Sequence, residues 1–154
     1  MTGLRDYRQS GFTLVEVLVA LVVMAVGMLG IAGLYVEGLR AGRTAIYRTT
    51  AVTLAADMAD RIRANPGAAA SYAGTGPGSA GFACVNGPAD CSATEMAQDD
   101  WFRWLQDLNG RLPAGATATI DVANLAPMTE YTITVSWPET GQDAPVSYRL
   151  VMQL

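Results

Sequence analysis

Gly11-Phe12-Thr13-Leu14-Val15-Glu16 sets a small, cuttable junction, an aromatic residue and a carboxylate at the mouth of an apolar run that reaches about Tyr35. Cleavage after Gly11 would shed a short polar leader, keep the apolar run on the product and turn the Phe12 nitrogen into a cationic amine. That amine stands one helical turn from Glu16. An ionised acid within a membrane-length helix costs about 3 kcal/mol on insertion scales, and less near the interface. Glu16 therefore needs a partner or a function, and the new amine is the nearest candidate.

Other chemistries are narrowed by composition. The chain has no histidine, which removes a Ser-His-Asp triad, a Cys-His pair and imidazole-ligated zinc. Cys84 and Cys91 cannot complete a four-ligand zinc site alone, and their spacing is not the redox C-x-x-C. In an oxidising compartment they read as a structural disulfide. So short a loop gains about 2.5 kcal/mol at most in the chain-entropy model, which makes the bridge a local staple. Asp99 and Asp100 would diverge around a helix and are expected in its acidic first turn rather than as a catalytic pair. The ten basic residues, all Arg, are dispersed along a chain of net charge −4, so no basic stripe recommends nucleic acid.

The elements that must position Gly11, Phe12 and Glu16 begin with the apolar run itself. From Phe12 to Leu34 it would span about 35 Å as a helix, slightly more than a hydrocarbon core needs. Arg5 and Arg8 precede it and the next basic residue is Arg40, a bias that keeps the amino end in the cytoplasm. An ordinary signal peptide has a shorter apolar core with its cleavage site behind it; here Gly11 lies in front. A simple signal anchor with an accidental Glu is the plain alternative.

Helical spacing continues beyond the run. Ala51, Leu54, Ala55, Met58 and Ile62 share one face, and Asp57 with Arg61 and Asp60 with Arg63 read as surface pairs. Asn65-Pro66-Gly67 stops the helix, and Pro66 to Cys91, rich in Gly, Ala, Pro and Ser, reads as an extended surface loop. Ser92 and Glu95 have capping-box spacing. A second helix follows, with Trp101, Trp104, Leu105, Leu108 and Leu112 on its buried face and Asn109-Gly110 as its stop; a ligand platform is the alternative for the aromatics. Alternation then predicts strands over 117–122, 131–137 and 146–154, with Pro138 to Pro145 as a turn.

The Gly-aromatic-Thr-apolar-apolar-Glu motif followed by its apolar helix resembles the type IV prepilin family. The resemblance implies cleavage between Gly11 and Phe12 by a prepilin peptidase, N-methylation of Phe12, and pairing of Glu16 with the terminal amine of a neighbouring subunit. Ala45-Ile46-Tyr47-Arg48-Thr49-Thr50 and the helix end Asp57-Met58-Ala59-Asp60-Arg61-Ile62-Arg63-Ala64-Asn65 look like the pilus-modification minor pilins called PilV. The likeness covers about the first 65 residues and carries no catalytic role or cofactor. One departure is Gly33, where major pilins commonly carry Pro.

The expected fold is α+β: a long amino-terminal helical stem, transmembrane and then amphipathic, packed on a small antiparallel head of about three strands with a second short helix. Its organisation would be a leader over 1–11, a transmembrane and assembly half over 12–35, an amphipathic half over 36–65 and a periplasmic head over 66–154. Leader removal, with Arg5, Asp6 and Arg8, takes the side-chain charge to −5. The resemblance implies a minor pilin of the bacterial inner membrane that passes into the pilus to start, modify or cap it. Its partners would be other minor pilins, the prepilin peptidase and methyltransferase, and the inner-membrane assembly platform, with the major pilin as a further candidate. A minor pseudopilin of type II secretion is the alternative, and a membrane-anchored periplasmic enzyme or ligand-binding module is a third.

Overall fold

A computed structural model describes residues 11–76, 82–85, 87 and 90–154. The leader expected over 1–11 therefore lies, apart from Gly11, outside the described residues, as do 77–81, 86, 88 and 89 of the expected loop. The chain divides between Gly42 and Arg43 into two compact units, and helix α1, Leu14–Ala64, contributes to both.

In the first unit α1 is apolar all round from Val17 to Val36, with Glu16 ahead of that stretch and Glu37 and Arg40 behind it. Every large apolar side chain from Phe12 to Leu39 is exposed, and the helix is long and apolar enough to cross a membrane. A helix exposed in this way needs lipid or other helices around it.

The second unit, from Arg43 to Leu154, holds the core. The helical spacing of Ala51, Leu54, Ala55, Met58, Ala59 and Ile62 puts all six on the buried face of α1. Helix α2, Ala93–Arg111, starts in the expected capping box: Ser92 accepts from the Glu95 amide, and the Glu95 carboxylate accepts from the Ser92 amide. It buries Trp101, Trp104 and Leu108, with Leu112 buried just beyond its end. Leu105 is half-buried against that core. Asn109-Gly110 does not end α2, which runs on to Arg111 and closes with the Leu112 amide donating to the Leu108 carbonyl.

Among the described residues three strands form one antiparallel sheet in the order β1-β2-β3. They are β1 (Thr117–Leu125), β2 (Met128–Trp137) and β3 (Val146–Gln153). Alternation sends Ala118, Ile120, Tyr131, Ile133, Val135, Trp137 and Met152 to the buried face. Register pairs Ile120 with Ile133 and Ile133 with Leu150, so the apolar positions of the strands meet in rows that both helices cover.

The expectation of an extended surface loop from Pro66 to Cys91 is corrected at its start. Pro66–Tyr72 forms a 3₁₀ stretch kinked at Ala68, and Tyr72 is fully buried. Gly74 then bridges to Ile120 on the β1 edge through two backbone hydrogen bonds of 2.8 Å. Gly76, at φ +91°, packs so closely on the Trp101 ring that an added Cβ would stand 2.8 Å from it. One aromatic ring of α2 thus fixes the path of a segment whose composition suggested only a loop.

Candidate functional site

At the amino end Gly11, Phe12 and Thr13 precede α1 in non-helical backbone, and all three are exposed. Thr13 caps the helix: its hydroxyl accepts from the Glu16 amide at 3.3 Å, and its carbonyl accepts from the amides of Glu16 at 3.1 Å and Val17 at 3.3 Å. Glu16 therefore sits in the first turn, where the helix dipole favours a negative charge. Phe12 is 81% exposed. A Cβ built on Gly11 meets no atom within 4 Å, and the residue does not adopt the left-handed backbone. Among the described residues nothing demands glycine at position 11, which leaves room for a demand from a molecule that acts there. Thr13 was missed in the sequence, although Thr13 and Glu16 have the same cap spacing as Ser92 and Glu95.

The second unit joins Cys84 to Cys91 in a disulfide, with Cα atoms 5.7 Å apart. Asp99 and Asp100 depart from expectation. They lie in the second turn of α2, the acid of the first turn is Glu95, and both are buried. They diverge as expected. Asp99 faces Arg103 at 2.9 Å, whereas Asp100 accepts from the Tyr72 hydroxyl at 2.7 Å and from Arg61 at 3.3 Å. Arg61 also reaches Asp57 at 3.0 Å, and Asn65 donates to the Tyr72 oxygen at 3.2 Å. The pair read as Asp57 with Arg61 on the surface is thus one arm of a partly buried network, while Asp60 with Arg63 at 2.8 Å stays exposed. Nothing in the spacing of α1 announces Asp100 as a partner from another element. Among the described residues no group of three Cys, Asp or Glu is arranged to hold a metal ion.

Burial, and after it the bond to Asp100, hold the Tyr72 hydroxyl protonated well above the ordinary phenol range. A raised folded pKa stabilises fully below the unfolded value, about 10 for Tyr, and that contribution is lost as pH rises through the folded value. Burial also raises Tyr131. Unfolding free energy is expected to fall from about pH 10 upward, by up to ~1.4 kcal/mol per pH unit for each such phenol. Tyr72→Phe should remove one proton's worth of that slope and leave the part due to Tyr131. Urea unfolding followed by near-ultraviolet circular dichroism on both sides of that pH measures it; an unchanged slope in Tyr72→Phe would assign the effect elsewhere.

Comparison with known proteins bears on the same two regions. The family model for the prokaryotic N-terminal methylation motif matches residues 6–32, and the Tt1218-like model, described as type IV pilin Tt1218, matches residues 33–102. Both matches support the type IV prepilin family. Pilins are structural proteins rather than enzymes, so the support is for a pilin or pseudopilin role. Gly11, Phe12 and Glu16 fall within the methylation-motif match, and Cys84, Cys91, Asp99 and Asp100 within the pilin match. Trp104 and all three strands lie beyond both. The prepilin motif and the apolar helix behind it together suggest membrane anchoring, processing by a prepilin peptidase and assembly with other pilins. No curated protein and no solved structure matches the chain.

Proposed function

We propose that this protein is a minor pilin of a type IV pilus, cut between Gly11 and Phe12 and N-methylated on Phe12. It waits in the bacterial inner membrane on the apolar part of the stem, over 12–35. The amphipathic half, 36–65, and the head, 66–154, stand in the periplasm, and the protein joins other minor pilins to start, modify or cap the filament. The observation that carries this reading is the exposed Gly11–Phe12 junction immediately ahead of a helix whose first turn holds Glu16 and whose large apolar side chains up to Leu39 are exposed. The motif from Tyr47 to Asn65 favours a PilV-like protein over a pseudopilin of type II secretion, which would share the processing and the stem.

Assembly chemistry follows from the charges. Cutting creates a positive amine on Phe12, and Glu16 of a neighbouring subunit supplies the negative partner while apolar helices pack. Glu16→Val eases membrane insertion and leaves Gly11 available to the peptidase; Glu16→Gln keeps the shape without the charge. Both variants should be cut and stable yet enter the pilus about tenfold less well, the scale of one lost charge-assisted contact. Crosslinking to partner pilins and the pilus fraction, normalised to cut protein in the membrane, measure this. Wild-type incorporation of both would show that the charge is dispensable and leave apolar packing and head contacts to drive assembly.

A further inference from the structure

Glu95, Asp99 and Arg103 stand four residues apart along α2 and so line one face of it. Each holds a piece of backbone beside a cysteine of the Cys84–Cys91 bridge. Glu95 accepts from the Ser92 amide at 2.8 Å, directly after Cys91. Asp99 accepts from the Ala83 amide at 3.0 Å, directly before Cys84, and Arg103 donates to the Val85 carbonyl at 3.0 Å, directly after it.

Arg103 Nε also lies 2.9 Å from the second Asp99 oxygen. It approaches off the N–H line, so that oxygen has no hydrogen bond and the contact is an ion pair. The Asp99 side chain is only 3% exposed, where charge interactions are less screened than in water. Ala83 takes a left-handed φ of 55°, unfavourable for a residue with a Cβ, and its amide is the one that Asp99 accepts from. None of these contacts uses a sulfur atom.

We infer that the Glu95-Asp99-Arg103 stripe is a template that brings the Cys84 and Cys91 thiols together before they are oxidised and keeps Ala83, Val85 and Ser92 beside them seated after they are reduced. Oxidation by a small-molecule disulfide then proceeds in two exchanges. One cysteine thiolate attacks the oxidant, forms a mixed disulfide and releases one small thiol. The second thiolate attacks the mixed disulfide at the protein sulfur, closes the Cys84–Cys91 bond and releases the other. The protein gives up two electrons and two protons, which the two small thiols carry away. By fixing both flanks to one helix, the stripe raises the effective concentration of each thiol at the other.

The test uses the full chain in detergent, equilibrated in mixtures of reduced and oxidised glutathione and acid-quenched to read the bridged fraction. Asp99→Ala and Arg103→Ala are each expected to lower the effective thiol concentration about three- to tenfold, the scale of one or two lost hydrogen bonds. Arg63→Ala, which removes an exposed ion pair within α1, should leave it unchanged. Values for both stripe variants within twofold of the wild type would overturn the inference, and Arg103→Ala alone decides if Asp99→Ala fails to fold. Hydrogen exchange of the Ala83 amide in Cys84→Ser/Cys91→Ser gives a second reading. Retained protection supports a template independent of the bridge; exchange at the rate of unstructured chain means that the bridge imposes the arrangement.

Discussion

Gly11→Arg should accumulate as uncut protein with its leader attached and Phe12 unmethylated, while folding as the wild type does. The two halves of that result come from different observations. A Cβ added at position 11 meets no atom of the described residues within 4 Å, and exposed substitutions away from packed features stay within about 0.5 kcal/mol. The fold is therefore indifferent. A peptidase that closes on the proposed Gly11–Phe12 junction would not be, because a long cation replaces a hydrogen there. Intact-mass and amino-terminal analysis of protein from the native host should show wild type beginning at methylated Phe12 and at least a tenfold loss of that species in the variant, a barrier change of ~1.4 kcal/mol or more. Mature wild-type protein beginning after the apolar run would remove the prepilin reading, and efficient cutting of Gly11→Arg would remove the glycine requirement.

The largest loss of stability should come from Trp104→Ala. Trp104 is fully buried, its indole N–H donates to the Leu54 carbonyl of α1 at 2.8 Å, and its ring meets Trp101 edge-on with centroids 5.4 Å apart. Replacing a core Trp by Ala costs about 3–5 kcal/mol, a large share of the roughly 5–15 kcal/mol that holds an ordinary domain together. Trp104→Phe keeps much of the apolar volume but not the donor, and should cost less than half as much. Denaturant midpoints of the full chain, read from near-ultraviolet circular dichroism, rank the three proteins. A loss under 1 kcal/mol for Trp104→Ala would mean that α1 and α2 are held together elsewhere.

What could be read in the sequence divides by range. The faces of both helices and the alternation of the strands are short-range periodicities, and Leu54, Met58, Ile62, Trp101, Trp104, Ile133 and Val135 are buried as their spacing predicts. Ser92 with Glu95 is likewise local. Strand ends were shortened in the reading because β1 continues through Ala123-Asn124-Leu125 and β2 begins at Met128-Thr129-Glu130. Those residues sit at a hairpin tip, where pairing rather than burial defines the strand. The segment Pro66–Tyr72 failed as a loop because Tyr72 is held by Asn65, Asp100 and Trp101 while Ala68 joins the core and Ser71 donates to Thr94 of α2. The burial of Asp99 and Asp100 was illegible for the same reason: an acid's burial depends on cations and donors that other elements bring to it. At the amino end the Thr13 cap was the local signal left unread.

The hydrogen bond from Trp104 to Leu54 spans 50 residues of chain, and this separation sets a clock on biosynthesis. A ribosome adds about 5–20 residues per second, so roughly 3–10 s pass between the making of one partner and the other. Collapse of a chain this size takes on the order of 10–100 μs. The apolar face of α1 around Leu54 and Ile62 is therefore uncovered for a time governed by synthesis, with the search for contacts a negligible part of it. During those seconds it is a client for whatever shields nascent apolar surface, and a pause placed between the codons for Ile62 and Trp104 would lengthen its exposure without changing a single residue of the finished protein.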